Sequence, residues 1–193
     1  PYTIDIKNNK FQKKFSIKFN SKKIGLNIES NTNYEDLVRK GKLDLMFVNK
    51  NESLFYEINN NSLNFSSVDK KKFNGYFDFK PFYLKASFNY DGISAKDIFK
   101  NDSLLVELFK SEILNNENLN VNIDLNVKNL TNIDYLNDLK LKLNLDQGNI
   151  TFSKSRIMWK DDLEINLKDG ILNYDQNEIS LIGKLIINAN NID

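Results

Sequence analysis

Between Leu119 and Ile187 the chain repeats one pattern that few architectures satisfy: an aliphatic residue at every second position. Leu119, Val121, Ile123, Leu125 and Val127 are separated by Asn120, Asn122, Asp124 and Asn126. The alternation returns at Leu139, Leu141, Leu143 and Leu145, at Leu163, Ile165 and Leu167, and around Ile179, Leu181 and Leu185. Successive side chains of a strand point to opposite faces, so a period of two gathers these aliphatics on one side of a sheet. Turn residues at Asp146–Asn149, Lys160–Asp162, Asp169-Gly170 and Asp175–Asn177 punctuate the run. Their spacing of roughly 8–12 residues is that of a continuous antiparallel meander. The segment therefore reads as an amphipathic sheet with one dry face and one wet face.

The preceding residues carry the same signal less regularly. Tyr2–Lys7 alternates weakly around Ile4 and Ile6; Phe11, Phe15, Ile17 and Phe19 suggest a second strand, and Ile24, Leu26 and Ile28 a third. Asn31–Lys40 fits either a loop or a short helical turn capped by Asn33 and stopped by Gly41. Leu43–Phe47 resumes the alternation, and Asn59-Asn60-Asn61 marks a turn between strands carrying Phe55 and Ile58, then Leu63, Phe65 and Val68. Asp69–Lys72 reads as a charged connector. Tyr76–Tyr90 is the most aromatic stretch, and Pro81, which has no N–H to donate, marks an edge, a bulge or a break between two strands, with the alternation from Phe82 to Phe88 supporting a second strand after it. Asp91-Gly92 reads as the end of the second. Ser94 then stands as an N-cap with Asp97 three positions on, and Ile98, Phe99, Leu104, Leu105, Leu108, Phe109 and Ile113 form one apolar stripe. The expected organisation is strands over 1–92, an amphipathic helix over 94–115 and a β-meander over 119–188. Together they make a single β-rich domain or a segment of a longer protein. The expected class is mainly β with one helix (α+β), built on a long antiparallel curved sheet as an open groove or half-barrel.

Residue supply narrows the chemistry. The chain has 193 residues and contains neither His nor Cys, which removes thiol nucleophiles, imidazole bases, Cys/His zinc sites and disulfides together. A net charge of +1 lacks the basic field of a nucleic-acid binder. The acidic turn residues Asp161, Asp162, Asp169 and Asp175 do not follow a calcium-loop spacing, and the seven glycines are isolated, so no phosphate-cradling loop is present. No catalytic residue, metal site or cofactor is expected. No apolar run approaches the roughly 18–20 residues that span a bilayer, and no signal peptide is visible. The start at Pro1 and the strand-like end read as a piece of a longer or processed chain.

The order of features in the second half, the helical stretch at 94–114, "LNVNIDLNVKNL" at Leu119–Leu130, "LKLKLNLDQGNITFSKSRIMWKDDLEINLKDGIL" at Leu139–Leu172 and "ISLIGKLIINANNID" at Ile179–Asp193, resembles the AsmA-like family, in particular the C-terminal region of its large bacterial members. The resemblance implies a non-enzymatic periplasmic segment of a Gram-negative bacterium, held at the inner membrane by an N-terminal anchor not present here. Its groove-like sheet would shield phospholipid acyl chains in lipid transport or outer-membrane assembly. Under that reading the lipid-contacting residues are Val121, Ile123, Leu125, Leu141, Leu143, Ile165 and Leu167. The physics is compatible, since burying alkyl surface is worth roughly 0.8 kcal/mol per methylene. The same alternation also fits a structural or adhesive β domain whose aliphatic face is a closed core.

Overall fold

The computed structural model describes residues 2–23, 25–35, 37–47, 50–94, 116–175 and 178–189. The chain is mainly β: these residues form fourteen strands and no helix. They fall into two compact units, Pro1–Lys80 and Pro81–Asp193.

The first unit is an antiparallel meander in which each strand pairs with the next: β1 (Tyr2–Asn9), β2 (Lys14–Ser21), β3 (Leu26–Glu35), β4 (Val38–Phe47), β5 (Lys50–Ile58), β6 (Ser62–Ser67) and β7 (Phe73–Phe79). Two expectations are corrected here. Asn31–Lys40 is neither helical turn nor loop but the end of the β3–β4 hairpin, which closes at Glu35 opposite Val38. Asn33 spends its backbone on a ladder with Lys40, so its capping potential is overridden by pairing that runs back to Leu26 opposite Phe47. Phe11 lies in the turn between β1 and β2 rather than in a strand, and its ring is fully exposed.

Gly41 is an interior residue of β4 opposite Tyr56, not a stop signal. A Cβ there would lie 2.4 Å from the Tyr56 phenol oxygen and 2.5 Å from the Asn31 carbonyl oxygen, so only glycine leaves room for the ring. The phenol bonds the hydroxyls of Ser30, at 2.6 Å, and Thr32. The Asn59–Asn61 turn forms as expected, with Asn59 Oδ1 accepting from the amides of Asn61 at 2.9 Å and Ser62 at 2.8 Å. At the charged connector Asp69 accepts from Ser67 Oγ at 2.7 Å and the Lys71 amide at 3.0 Å.

The second unit contains β8 (Phe82–Ser94), β9 (Leu119–Thr131), β10 (Leu136–Asp146), β11 (Asn149–Phe152), β12 (Ser155–Trp159), β13 (Leu163–Asp175) and β14 (Glu178–Ala189). Its sheet is not wholly antiparallel: β8 and β9 run parallel, from Phe82 beside Leu119 to Ser94 beside Thr131. Asp91-Gly92 therefore does not end the strand, whose last residue is Ser94. A parallel pair needs a crossover of a dozen or more residues, and residues 95–118 make that connection. Beyond Ser94, the expected helix over 94–115 lies outside the described residues.

β11 and β12 occupy one lane. Both pair with β10 on one side and β13 on the other, interrupted at Ser153 and Lys154, whose φ is 52°. Asp169-Gly170 is a bulge inside β13, not a turn between two strands. The register against β14 shifts between Lys168 and Ile171, and Asp169 takes a φ of 52°. The extra residue moves the inward set from Leu167, opposite Leu185, to Leu172, opposite Leu181.

Candidate apolar binding face

The registers of the second unit line up its aliphatics in rows that cross the sheet. One row runs from Leu84 on β8 through Val121, Leu145, Ile150 and Leu172 to Leu181 on β14. A parallel row joins Ala86, Ile123, Leu143 and Phe152. Ile157, Ile165 and Ile187 form another across β12, β13 and β14, beside Leu167 and Leu185. Paired residues share a face, so every aliphatic named here projects to the same side.

Burial along the first row is graded. Val121 (6% exposed), Leu145 (2%) and Ile150 pack with Phe152 into a buried cluster, whereas Leu181 at the far end is 53% exposed. Among the described residues, the extensive contacts between elements of this unit all join hydrogen-bonded neighbours.

The seven expected residues all fall on this face, in different surroundings. Val121 belongs to the buried cluster. Ile123, Leu141, Leu143 and Leu167 are half-buried and pack against it, and Leu125 and Ile165 are half-buried on the same side. The most accessible aliphatics are three that sequence reasoning left out of the site: Leu181, Leu185 and Ile187, all on β14. Their alternation is visible in the sequence. That β14 pairs with β13 alone among the described strands is not.

The opposite face carries an internally bonded polar network beside the exposed Ile171 and Ile182. Arg156 donates from Nη2 to Asp138 and from Nη1 to Glu164, both at 2.8 Å. Asn166 Nδ2 donates to the other Glu164 oxygen at 2.8 Å. That amide bond, with Arg156, holds the Glu164 carboxyl below the usual range. Lys128 reaches Asp91 at 2.6 Å, which raises the lysine. Asp161 accepts from Asn137 Nδ2 at 2.6 Å. These carboxylates are engaged by neighbouring side chains, and no three His, Cys, Asp or Glu side chains among the described residues are grouped to hold a metal ion.

What this arrangement offers among the described residues is surface: one sheet whose aliphatic rows open toward β14. Comparison with protein-family models, characterised proteins and solved structures finds no match to this chain, so the AsmA-like resemblance rests on strand order and alternation alone.

Proposed function

We propose that this chain is a non-enzymatic lipid-binding sheet whose second unit offers phospholipid acyl chains an apolar surface. The observation that carries the reading is the gradient across the face, from the buried cluster around Leu145 to the open aliphatics of β14. An alkyl chain laid over Ile165, Leu167, Leu185 and Ile187 removes its own surface and theirs from water. At roughly 0.8 kcal/mol per methylene, eight methylenes supply about 6 kcal/mol before the costs of ordering. The half-buried Ile123, Leu125, Leu141 and Leu143 extend the same surface toward the cluster.

Under the AsmA-like resemblance such a sheet would belong to a periplasmic protein of lipid transport or outer-membrane assembly, tethered to the inner membrane by another part of its chain. A second reading is favoured by the tight packing of Val121, Leu145, Ile150 and Phe152: a structural or adhesive module in which the aliphatic face is core. The two differ at β14. Photocrosslinking residues placed at Leu185 and at Leu143, followed by mass spectrometry of the purified protein, should yield phospholipid adducts at Leu185 and co-purifying phospholipid in the unlabelled sample. Absence of both rejects the lipid reading and leaves the closed module.

A further inference from the structure

We propose a second site, on the first unit: a trough that takes an acidic polysaccharide chain. The trough has a volume of about 1310 Å³. Two register rows two residues apart border it. One runs from Lys7 on β1 through Ser16, Asn31, Lys42 and Phe55 to Asn74 on β7. The other carries Lys14, Asn33, Lys40, Glu57 and Asn64. Crossing seven strands at the ordinary inter-strand spacing makes the first row about 29 Å long, and two residues along a strand set the rows about 7 Å apart. Those proportions suit an extended chain rather than a single small molecule.

The lining selects the chemistry. Side-chain amides and hydroxyls both donate and accept, which matches a polymer dense in hydroxyl groups. Phe55, 47% exposed, is an aromatic ring open to solvent in the middle of an otherwise polar row, positioned to lie under the apolar face of a sugar ring. Five lysines border the trough: Lys7, Lys14, Lys40, Lys42 and Lys70. Three already face carboxylates, Lys7 with Asp5 at 3.6 Å, Lys40 with Glu57 at 3.0 Å and Lys42 with Asp44 at 2.7 Å. Lys14 and Lys70 face none among the described residues. The surplus of positive charge is therefore small and spread out. It fits a glycan bearing spaced carboxylates or sulfates better than a nucleic acid, whose phosphates recur at every nucleotide. The exposed ion pairs hold their lysines weakly and can be exchanged for ligand carboxylates.

Calorimetric titration of the full chain with a hyaluronan oligosaccharide, which bears a carboxylate on every second sugar, a maltooligosaccharide of equal length and an oligothymidylate tests this. The acidic sugar should bind at least about tenfold more tightly than either control, and Phe55→Ala should weaken it about tenfold, the loss of one good contact. Lys14→Ala combined with Lys70→Ala should weaken it and flatten its salt dependence. Both lysines are exposed, so this second variant keeps its fold if the first does not. The site is refuted by no binding of the acidic sugar, by equal binding of oligothymidylate, by wild-type affinity in a folded Phe55→Ala protein, or by unchanged affinity and salt dependence in the double lysine variant.

Discussion

Replacing Leu185 by Asn should separate binding from folding. Leu185 is 66% exposed, so the folded protein alone realises only about a third of what burying its side chain can contribute. Full burial of a Leu is worth about 1.5–3 kcal/mol, which leaves about 1–2 kcal/mol available to a ligand laid over the site. Losing it should weaken acyl-chain binding about 5- to 30-fold. Stability should fall by only about 0.5–1 kcal/mol, the third of the burial that the fold already realises. Val121→Asn is the contrast. Val121 is 6% exposed within the buried cluster, and the change removes its burial and strands an amide in apolar surroundings. Together these should cost about 3–5 kcal/mol, a large share of the total stability of a domain. Urea denaturation measures the second quantity and displacement of a fluorescent fatty acid the first. A folded Leu185→Asn protein that binds as the parent does refutes the proposed use of β14. A Val121→Asn protein of unchanged stability refutes the packing described for the cluster.

Three further outcomes follow from the structure. Gly183→Val should destabilise by about 1–3 kcal/mol in denaturant titration, as overpacking does, because its Cβ would stand 2.7 Å from Leu167 Cδ1 and 3.2 Å from the Lys168 carbonyl oxygen. Tyr56→Phe should cost about 1 kcal/mol by the same measurement, since the hydroxyls of Ser30 and Thr32 both lose their shared phenol partner. The Ser67 hydroxyl, then the amides of Lys71 and Lys72, hold the Asp69 carboxyl below its usual range. Its contribution is therefore complete above the ordinary carboxylate range and is lost as pH falls through the lowered value. Amide exchange at Lys71 and Lys72, corrected for the intrinsic rate, should accelerate on that acid side in the parent and show no such step in Asp69→Ala.

Strands were legible wherever side chains alternate cleanly, as at Leu119–Val127 and Leu139–Leu145, because a half-buried sheet face imposes that pattern directly. Turns were legible where one side chain closes them locally, as Asn59 and Asp69 do. Three features depend on partners far away in sequence, and the residues alone do not reveal them. Gly92 reads as a terminator but sits beside Asn129 in the parallel ladder. Asn33 reads as a cap but is held in a strand between Lys14 and Lys40. Asp169-Gly170 reads as a turn because a bulge uses the same residue types: one left-handed residue and one without a side chain. The binding face was legible as a set of residues. Its gradient was not, since periodicity records which side a residue faces and carries no information on how many neighbouring strands flank it. Leu181 and Leu143 therefore look alike in sequence while differing in exposure.

The bulge decides which aliphatics β14 presents. From Leu181 to Ile187 this strand is apolar on both sides: Leu181, Leu185 and Ile187 face one way, Ile182 and Ile186 the other. A slip of one residue would exchange the two sets at little hydrophobic cost, so alternation specifies the register of this strand only weakly. Close packing specifies it instead. Gly183 lies where Leu167 Cδ1 and the Gly170 Cα would stand 2.7 Å and 3.1 Å from a Cβ, and Gly170 faces Leu167 and Phe152 at 2.8 Å and 3.1 Å in the same sense. A one-residue slip would bring Ile182 or Lys184 into the place of Gly183, where a Cβ crowds the Leu167 side chain and the Gly170 and Lys168 backbone. The two glycines and the left-handed Asp169 therefore favour the register in which Leu185 lies beside Leu167, and Ile187 beside Ile165. The open aliphatic surface of the second unit is thus set by backbone geometry at three residues that contribute no apolar side chain to it.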